Sequence, residues 1–253
     1  MSQPVITVNN LVKRYNDFEA VKGISFSVSE GEIFGLLGPN GAGKTTTLEI
    51  IETLREKTSG EVMVHGLNVD AQSNDIKKII GVQLQAAGYY PSLTLVELLK
   101  LFGGLYNVEV NPLDMLHLVG LEDKAKAKFK ELSGGQKQRF SIATTLINKP
   151  RIIFLDEPTT GLDPQARRNL WLLIKTIRNQ GATVVITTHY MDEAEQLCDR
   201  VGVIESGKII ALDSPDNLID ALIAKGFQRN KKVKEASLED VFLDLTGHEW
   251  KDE

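Results

Sequence analysis

Ile33-Phe34-Gly35-Leu36-Leu37-Gly38-Pro39-Asn40-Gly41-Ala42-Gly43-Lys44-Thr45-Thr46 joins an apolar run to a glycine-spaced loop and then to the start of a helix. The run Ile33-Phe34-Gly35-Leu36-Leu37 suits a strand buried on both faces. Beyond it, Gly38, Gly41 and Gly43 let the backbone curl so that several N–H groups face inward. A helix beginning near Lys44 adds the positive end of its dipole to that hollow. Backbone donors arranged this way bind phosphate, and Gly38, Gly43, Lys44 and Thr45 stand at the spacing of a P-loop. Lys44 then reaches the β- and γ-phosphates of a nucleotide as a point charge, and the Thr45 hydroxyl is placed to ligate Mg²⁺. As a solvent-facing loop residue, Lys44 is expected to add little to packing.

Upstream, Ile24, Phe26 and Val28 alternate with Ser25, Ser27 and Ser29, the period-2 pattern of a half-buried antiparallel sheet. Residues 5–36 therefore read as strands, and 61–66 alternates again as a further strand of the same sheet. Downstream of the loop a helix is predicted over about 43–54. From about 86 to 132 nothing has strand character, and 96–102 and 113–121 look helical. That stretch reads as a helical subdomain inserted into an α/β core. A helix at 135–148, a buried strand at 152–156, a helix at 165–180 and a strand at 183–187 follow. The 165–180 helix places Leu170, Leu173, Ile174 and Ile177 on one face, with Gly181 as its C-cap. Such alternation predicts a mostly parallel sheet covered on both sides. A hairpin over 201–212 turns at Ser206-Gly207, and 216–225 looks helical. A basic run at 229–234 suits a solvated loop better than an approach to anionic lipid headgroups, and a short helix is expected near 238–245. The chain thus divides into one α/β domain over 1–226 and a tail over 227–253.

Arg151-Ile152-Ile153-Phe154-Leu155-Asp156-Glu157 is an apolar strand ending in two carboxylates. Adjacent acids at the end of a buried strand are costly unless a cation or a hydrogen-bond network compensates them. Asp156 is placed to hold Mg²⁺ through water. Glu157, one residue further toward the γ-phosphate, is placed as a general base for the attacking water.

Composition excludes several other classes. Charged residues make up 25% of the 253 and hydrophobic ones 42%, ordinary for a folded soluble protein. The formal net charge of -5 leaves no overall basic footprint, so no nucleic-acid partner is expected. The single cysteine, Cys198, at the edge of an expected helix, rules out an internal disulfide framework and fits a reducing compartment. No stretch reaches the ~20 apolar residues of a membrane-spanning helix, and the first residues carry no secretory pattern. Work at a membrane would need another chain to span it.

Leu132-Ser133-Gly134-Gly135-Gln136 opens a helix, with Ser133 as N-cap and two glycines leaving backbone N–H groups bare at its start. This segment resembles the signature motif of ATP-binding cassette (ABC) proteins, and the motif order from Tyr15 to about Leu212 resembles that family throughout. The resemblance implies an ATPase that binds ATP and Mg²⁺ and dimerises head to tail. Each ATP would lie between one P-loop, Gly38 to Thr46, and the partner's Ser133, Gly134, Gly135 and Gln136. It implies further that Tyr15 stacks on adenine, that Gln85 contacts Mg²⁺ and the water, that Asp163 signals across the dimer, and that His189 senses the γ-phosphate. Gln83 stands close by, and Gln85 fits the family register better. No catalytic motif departs from the family pattern.

Leu238-Glu239-Asp240-Val241-Phe242-Leu243-Asp244-Leu245-Thr246-Gly247 is similar to the ending of ATPases in the drug, antibiotic and sodium exporter branch. The expected protein is a cytoplasmic subunit, peripheral on the inner face of the cell membrane, that drives a separate permease. An importer subunit is the nearest alternative. Soluble relatives acting on DNA or ribosomes carry coiled coils, zinc modules or a second cassette, none of which is present in this sequence.

Overall fold

Alternation at Ile24, Phe26 and Val28 buries all three side chains on one face of a long strand. The computed structural model describes residues 4–83 and 88–226. In chain order the elements begin with β1 (Pro4–Tyr15), β2 (Phe18–Ser29), β3 (Ile33–Leu37), α1 (Lys44–Ile51), β4 (Ser59–Val64) and β5 (Leu67–Asn68). Next come α2 (Ser73–Ile79), β6 (Ile80–Gln83), α3 (Leu95–Tyr106), α4 (Pro112–Leu118), α5 (Gly134–Thr145) and β7 (Ile152–Asp156). The remainder are α6 (Pro164–Asn179), β8 (Thr183–Thr188), α7 (Met191–Leu197), β9 (Arg200–Glu205), β10 (Lys208–Asp213) and α8 (Pro215–Ala224). The chain divides into two units, Met1–Asp216 and Asn217–Glu253. The first holds every described strand.

Two sheets make up this first unit. The N-terminal one is antiparallel in the order β2-β1-β4-β5. The second runs β10-β9-β3-β8-β7-β6, parallel from β9 to β6 and closed by the antiparallel β9–β10 hairpin. Every residue of β3, β7 and β8 is buried, as expected for central strands covered on both faces. Phe26 of the first sheet stacks on Phe34 of the second, ring centroids 5.2 Å apart, and this contact joins the two layers.

Parallel register brings three strand ends together. Leu37 pairs with Thr188, and Asp156 pairs with Thr187. The loop after β3, the acids after β7 and the histidine after β8 therefore leave the sheet side by side at its carboxyl edge, where open α/β sheets bind ligands.

Between β6 and α5 the described elements are helices and 3-10 turns, apart from one isolated bridge between Thr94 and Lys128. Thr94 and Glu97 form a reciprocal capping box that starts α3, and Asn107 in the left-handed region ends it. Tyr89 holds this region against α5. Its ring lies 4.2 Å from Phe129 and 5.4 Å from Phe140, and its hydroxyl meets Ser141 and Thr144.

Several boundaries differ from expectation. The helix after the loop ends at Ile51 instead of near 54, because Thr53 turns into the left-handed region at φ 62. α2 and β6 were not expected, nor was the extent of α7. α2 buries only Ile76 and has no side-chain cap, so neither periodicity nor capping marks it. Among the described residues no helix is long and apolar enough to cross a membrane. Gln85, the basic run at 229–234 and the tail segment at 238–247 lie outside the described residues.

Candidate functional site

The loop after β3 depends on close backbone approach. A Cβ on Gly38 would stand 2.1 Å from the Ile204 carbonyl oxygen, and one on Gly43 2.7 Å from that of Ala20. Only glycine fits either place, and Gly43 is also left-handed at φ 103 where it caps α1. Gly38 N–H donates to the Thr188 carbonyl, and Gly207 N–H of the β9–β10 turn donates to the Ala42 carbonyl. Pro39, Asn40, Gly41 and Ala42 form the curve between these anchors.

Lys44 is not solvent-facing, contrary to expectation: it is 4% exposed. A side chain on the first helical residue points back toward the N-terminus, here into the loop it follows. Its ammonium donates to the carbonyls of Gly38 at 2.8 Å and Pro39 at 3.1 Å, and lies 3.3 Å from Glu157 Oε1. Phosphate oxygens entering the loop would compete for these same donors.

The carboxylates sit opposite. Thr45 Oγ1 donates toward Asp156, 3.3 and 3.2 Å from its two oxygens. Thr187, fully buried and not singled out from the sequence, makes a short hydrogen bond from its hydroxyl to Asp156 Oδ1. The same hydroxyl accepts Glu157 N–H at 3.0 Å. Burial pushes the Asp156 carboxyl above its ordinary pKa, although Thr187 and Thr45 pull the other way. For Glu157, burial raises the pKa, but Lys44 and His189 together outweigh it and hold the group below the ordinary range. Glu157 occupies the left-handed region at φ 48, a conformation non-glycine residues keep only where the surroundings enforce it. His189 Nδ1 lies 3.2 Å from Glu157 Oε2 without hydrogen-bond alignment.

A hydroxyl and a buried carboxylate are the hard oxygen donors that Mg²⁺ takes, and Asp156 gains from a nearby cation, so these residues fit that ion. Among the described residues no three His, Cys, Asp or Glu side chains gather as a metal site. Mg²⁺ typically uses one or two protein ligands with phosphate and water, which this arrangement allows.

Other sequence-singled residues stand around this cluster or apart from it. Tyr15 is exposed at the end of β1, with the Lys13 ammonium 5.1 Å and the Arg55 guanidinium 5.4 Å from its ring centre. Ser133 caps α5 reciprocally with Gln136, at 3.3 and 3.0 Å. These bonds are local and do not join the Lys44–Glu157 cluster. The first turn of α5 leans instead on the start of α6, where a Cβ on Gly135 would lie 3.0 Å from that of Ala166. Gly134 faces Leu162, and Asp163 caps α6 through Ala166 N–H at 2.6 Å.

Glu52 and Glu193 are further buried acids that escaped the sequence reading. Glu52, at the end of α1, is 2% exposed and pushed up to about 8 by burial, then by Asp156 and Glu49. Glu193 of α7 is wholly enclosed. No local pattern marks Glu52. For Glu193 the available signal was an acid one helical turn after His189, on the face that carries Ala194 and Leu197.

Residues 21–160 match the family model described as ABC transporter. The chain belongs to that family. Among relatives of this ABC ATPase, Nod factor export ATP-binding protein I of Burkholderia orbicola is 43% identical over 228 residues, covering 88% of this chain and 75% of that one. Linearmycin resistance ATP-binding protein LnrL of Bacillus subtilis is 40% identical over 223 residues, with coverages of 86% and 72%. The probable multidrug ABC transporter ATP-binding protein YbhF of Escherichia coli is 39% identical over 253 residues, of which this chain spans only 42%. Among solved structures, the dimeric ABC transporter cassette MJ0796 superposes with a TM-score of 0.74 at 31% identity, covering 83% of this chain and 98% of that one. The ATP-binding cassette MJ1267 in its ADP conformation gives a TM-score of 0.79 at 23% identity and bears on the fold alone. The ABC ATPase fold expected from the sequence is the fold observed.

Proposed function

We propose that this chain is the ATP-hydrolysing subunit of an exporter, working as one of two cassettes on a separate membrane permease at the cytoplasmic face of the membrane. One observation carries the reading: Lys44, Thr45, Asp156, Glu157, Thr187 and His189 converge from three adjacent strand ends. In this reading the loop N–H groups and Lys44 hold the β- and γ-phosphates, and Thr45 and Asp156 hold Mg²⁺. The bound ion neutralises phosphate charge. Phosphate draws Lys44 away from Glu157, so the carboxylate regains basicity as it takes the proton from water. His189 borders that proton acceptor. Tyr15 stacks on the base, and Gln85 completes the ion's surroundings.

A second subunit presents Ser133, Gly134, Gly135 and Gln136 to the γ-phosphate, using the bare N–H groups and dipole at the start of α5. Asp163 lies at the joint between that helix and the acidic strand. Export, rather than import, is supported by the names of the relatives, Nod factor export and linearmycin resistance ATP-binding proteins, and by the tail motif at 238–247. Purification from native membranes tests the assignment: a membrane-spanning protein should accompany the chain, and together in vesicles they should couple ATP hydrolysis to outward transport. Recovery with DNA or ribosomes and no membrane protein would contradict it.

A further inference from the structure

Glu193 is 0% exposed, although its carboxylate takes no part in the chemistry proposed above. Its Oε1 accepts the indole N–H of Trp171 at 3.1 Å. The hydroxyls of Thr188 and Thr159 and the Arg167 guanidinium are near enough to lower the carboxyl's pKa, while neither Oε2 nor the Thr159 hydroxyl stands in an aligned hydrogen bond. These groups come from different segments. Thr159 follows Glu157 by two residues, Thr188 directly precedes His189, and Trp171 and Arg167 belong to α6. Glu193 itself lies in the first turn of α7, the helix that the His189 turn enters.

We infer that Glu193 is a positioning residue, an enclosed acceptor whose bond to Trp171 ties α7, and with it the turn that carries His189, to α6 and so sets the Glu157–His189 separation. The inference rests on reading those two residues as reacting groups. For packing alone, an apolar side chain of similar volume would serve as well or better than a desolvated carboxylate. What an apolar group cannot do is accept the indole N–H that α6 offers to α7. Arg167 makes a second tie across the same joint, paired with Asp192 at 3.1 Å and lying 4.4 Å from the Tyr190 ring centre.

The test uses Glu193→Leu, Glu193→Gln and Trp171→Phe in the full chain, with Glu157→Gln in parallel. In Glu193→Leu, kcat for MgATP hydrolysis should fall about tenfold to a hundredfold, the effect of misplacing a reacting group by an ångström or less. KM and the dissociation constant for ATP should stay within about twofold, since ground-state contacts are untouched. Glu193→Gln, which keeps one acceptor oxygen, should recover part of the loss. The imidazole ¹⁵N signals of His189, assigned by their disappearance in His189→Ala, should shift in Glu193→Leu while those of His65 and His117 stay in place. Wild-type kcat with an unmoved His189 signal in a folded Glu193→Leu would overturn the inference. Should neither Glu193 variant fold, Trp171→Phe carries the test, because it keeps the ring and loses only the N–H. There a loss of about threefold to tenfold in kcat at constant KM is expected, and no loss refutes it. Full activity in Glu157→Gln would instead discredit the reading of the reacting groups.

Discussion

Replacing Glu52 with Gln isolates a pH effect built into the fold. Its carboxyl, 2% exposed at the end of α1, is pushed up to about 8 from 4.5 by burial, with Asp156 and Glu49 adding repulsion. A carboxyl whose pKa is raised by folding stabilises fully below the unfolded value, and that contribution is lost as pH climbs through the folded one. Between 4.5 and about 8, at about 1.36 kcal/mol for each pH step, the loss amounts to at most about 5 kcal/mol. Solvent screening takes little from this figure because the group is enclosed. Asp156 contributes to the shift, so the effect belongs in part to the pair. Urea unfolding of wild type and Glu52→Gln from about pH 5 to about pH 9 measures it through the linkage slope. Buried amide N–H groups make the variant's absolute stability uninformative, whereas the slope of the difference is clean. Relative to wild type, the variant should gain several kcal/mol across that interval, with most of the gain between the two pKa values. At about pH 6, well below the raised pKa, the carboxyl holds its proton, so ATP hydrolysis there should be unchanged. A stability difference flat with pH would refute the burial argument.

Lys44→Ala should weaken ATP binding by roughly tenfold to a hundredfold, the loss of charge-assisted bonds, measured by calorimetry. Because the lysine is buried against two carbonyls and Glu157, the same change should also lower stability by about 1–3 kcal/mol, seen as a fall in Tm. Gly38→Ala should lose nucleotide binding and much stability, since its methyl meets a backbone oxygen at 2.1 Å. Gly41→Ala, with open space around it but φ +80, should cost only about 1–2 kcal/mol by thermal melting. Thr187→Val, nearly isosteric, should cost about 1.5–3 kcal/mol by leaving Asp156 without its best donor, again read as Tm.

Local signals made much of this molecule legible in advance. Glycine spacing around Lys44, the apolar strand ending at Asp156 and Glu157, and the Ser133 N-cap with its two glycines each lie within a few consecutive residues. Their elements form where the sequence places them. The buried stripe Leu170, Leu173, Ile174 and Ile177 of α6 likewise follows from helical period alone. Short elements carried too few repeats to be read in full: α2, with one buried apolar residue, was missed, and α7, with two, was expected only at its Cys198 edge. Cross-strand chemistry stayed hidden for another reason. Thr187 meets Asp156 from 31 residues away only because β7 and β8 lie in register. Glu52 and Glu193 look like ordinary helical acids until tertiary packing encloses them. The burial of Lys44 is of the same kind, decided by how the loop folds over its own helix.

Glu157→Gln examined by size-exclusion chromatography with light scattering is the most direct test of the nucleotide-sandwich reading. Glutamine keeps the shape of the side chain but takes no proton from water, so hydrolysis should fall by about 10²–10⁴-fold. Lys44, Thr45 and Asp156 still hold MgATP, and without hydrolysis the closed pair accumulates by mass action. The expected result is a monomer alone and a dimer with MgATP, the dimer lost when Ser133→Arg is added. Hydrolysis at the wild-type rate, or a dimer equally abundant with Ser133→Arg, would contradict the account.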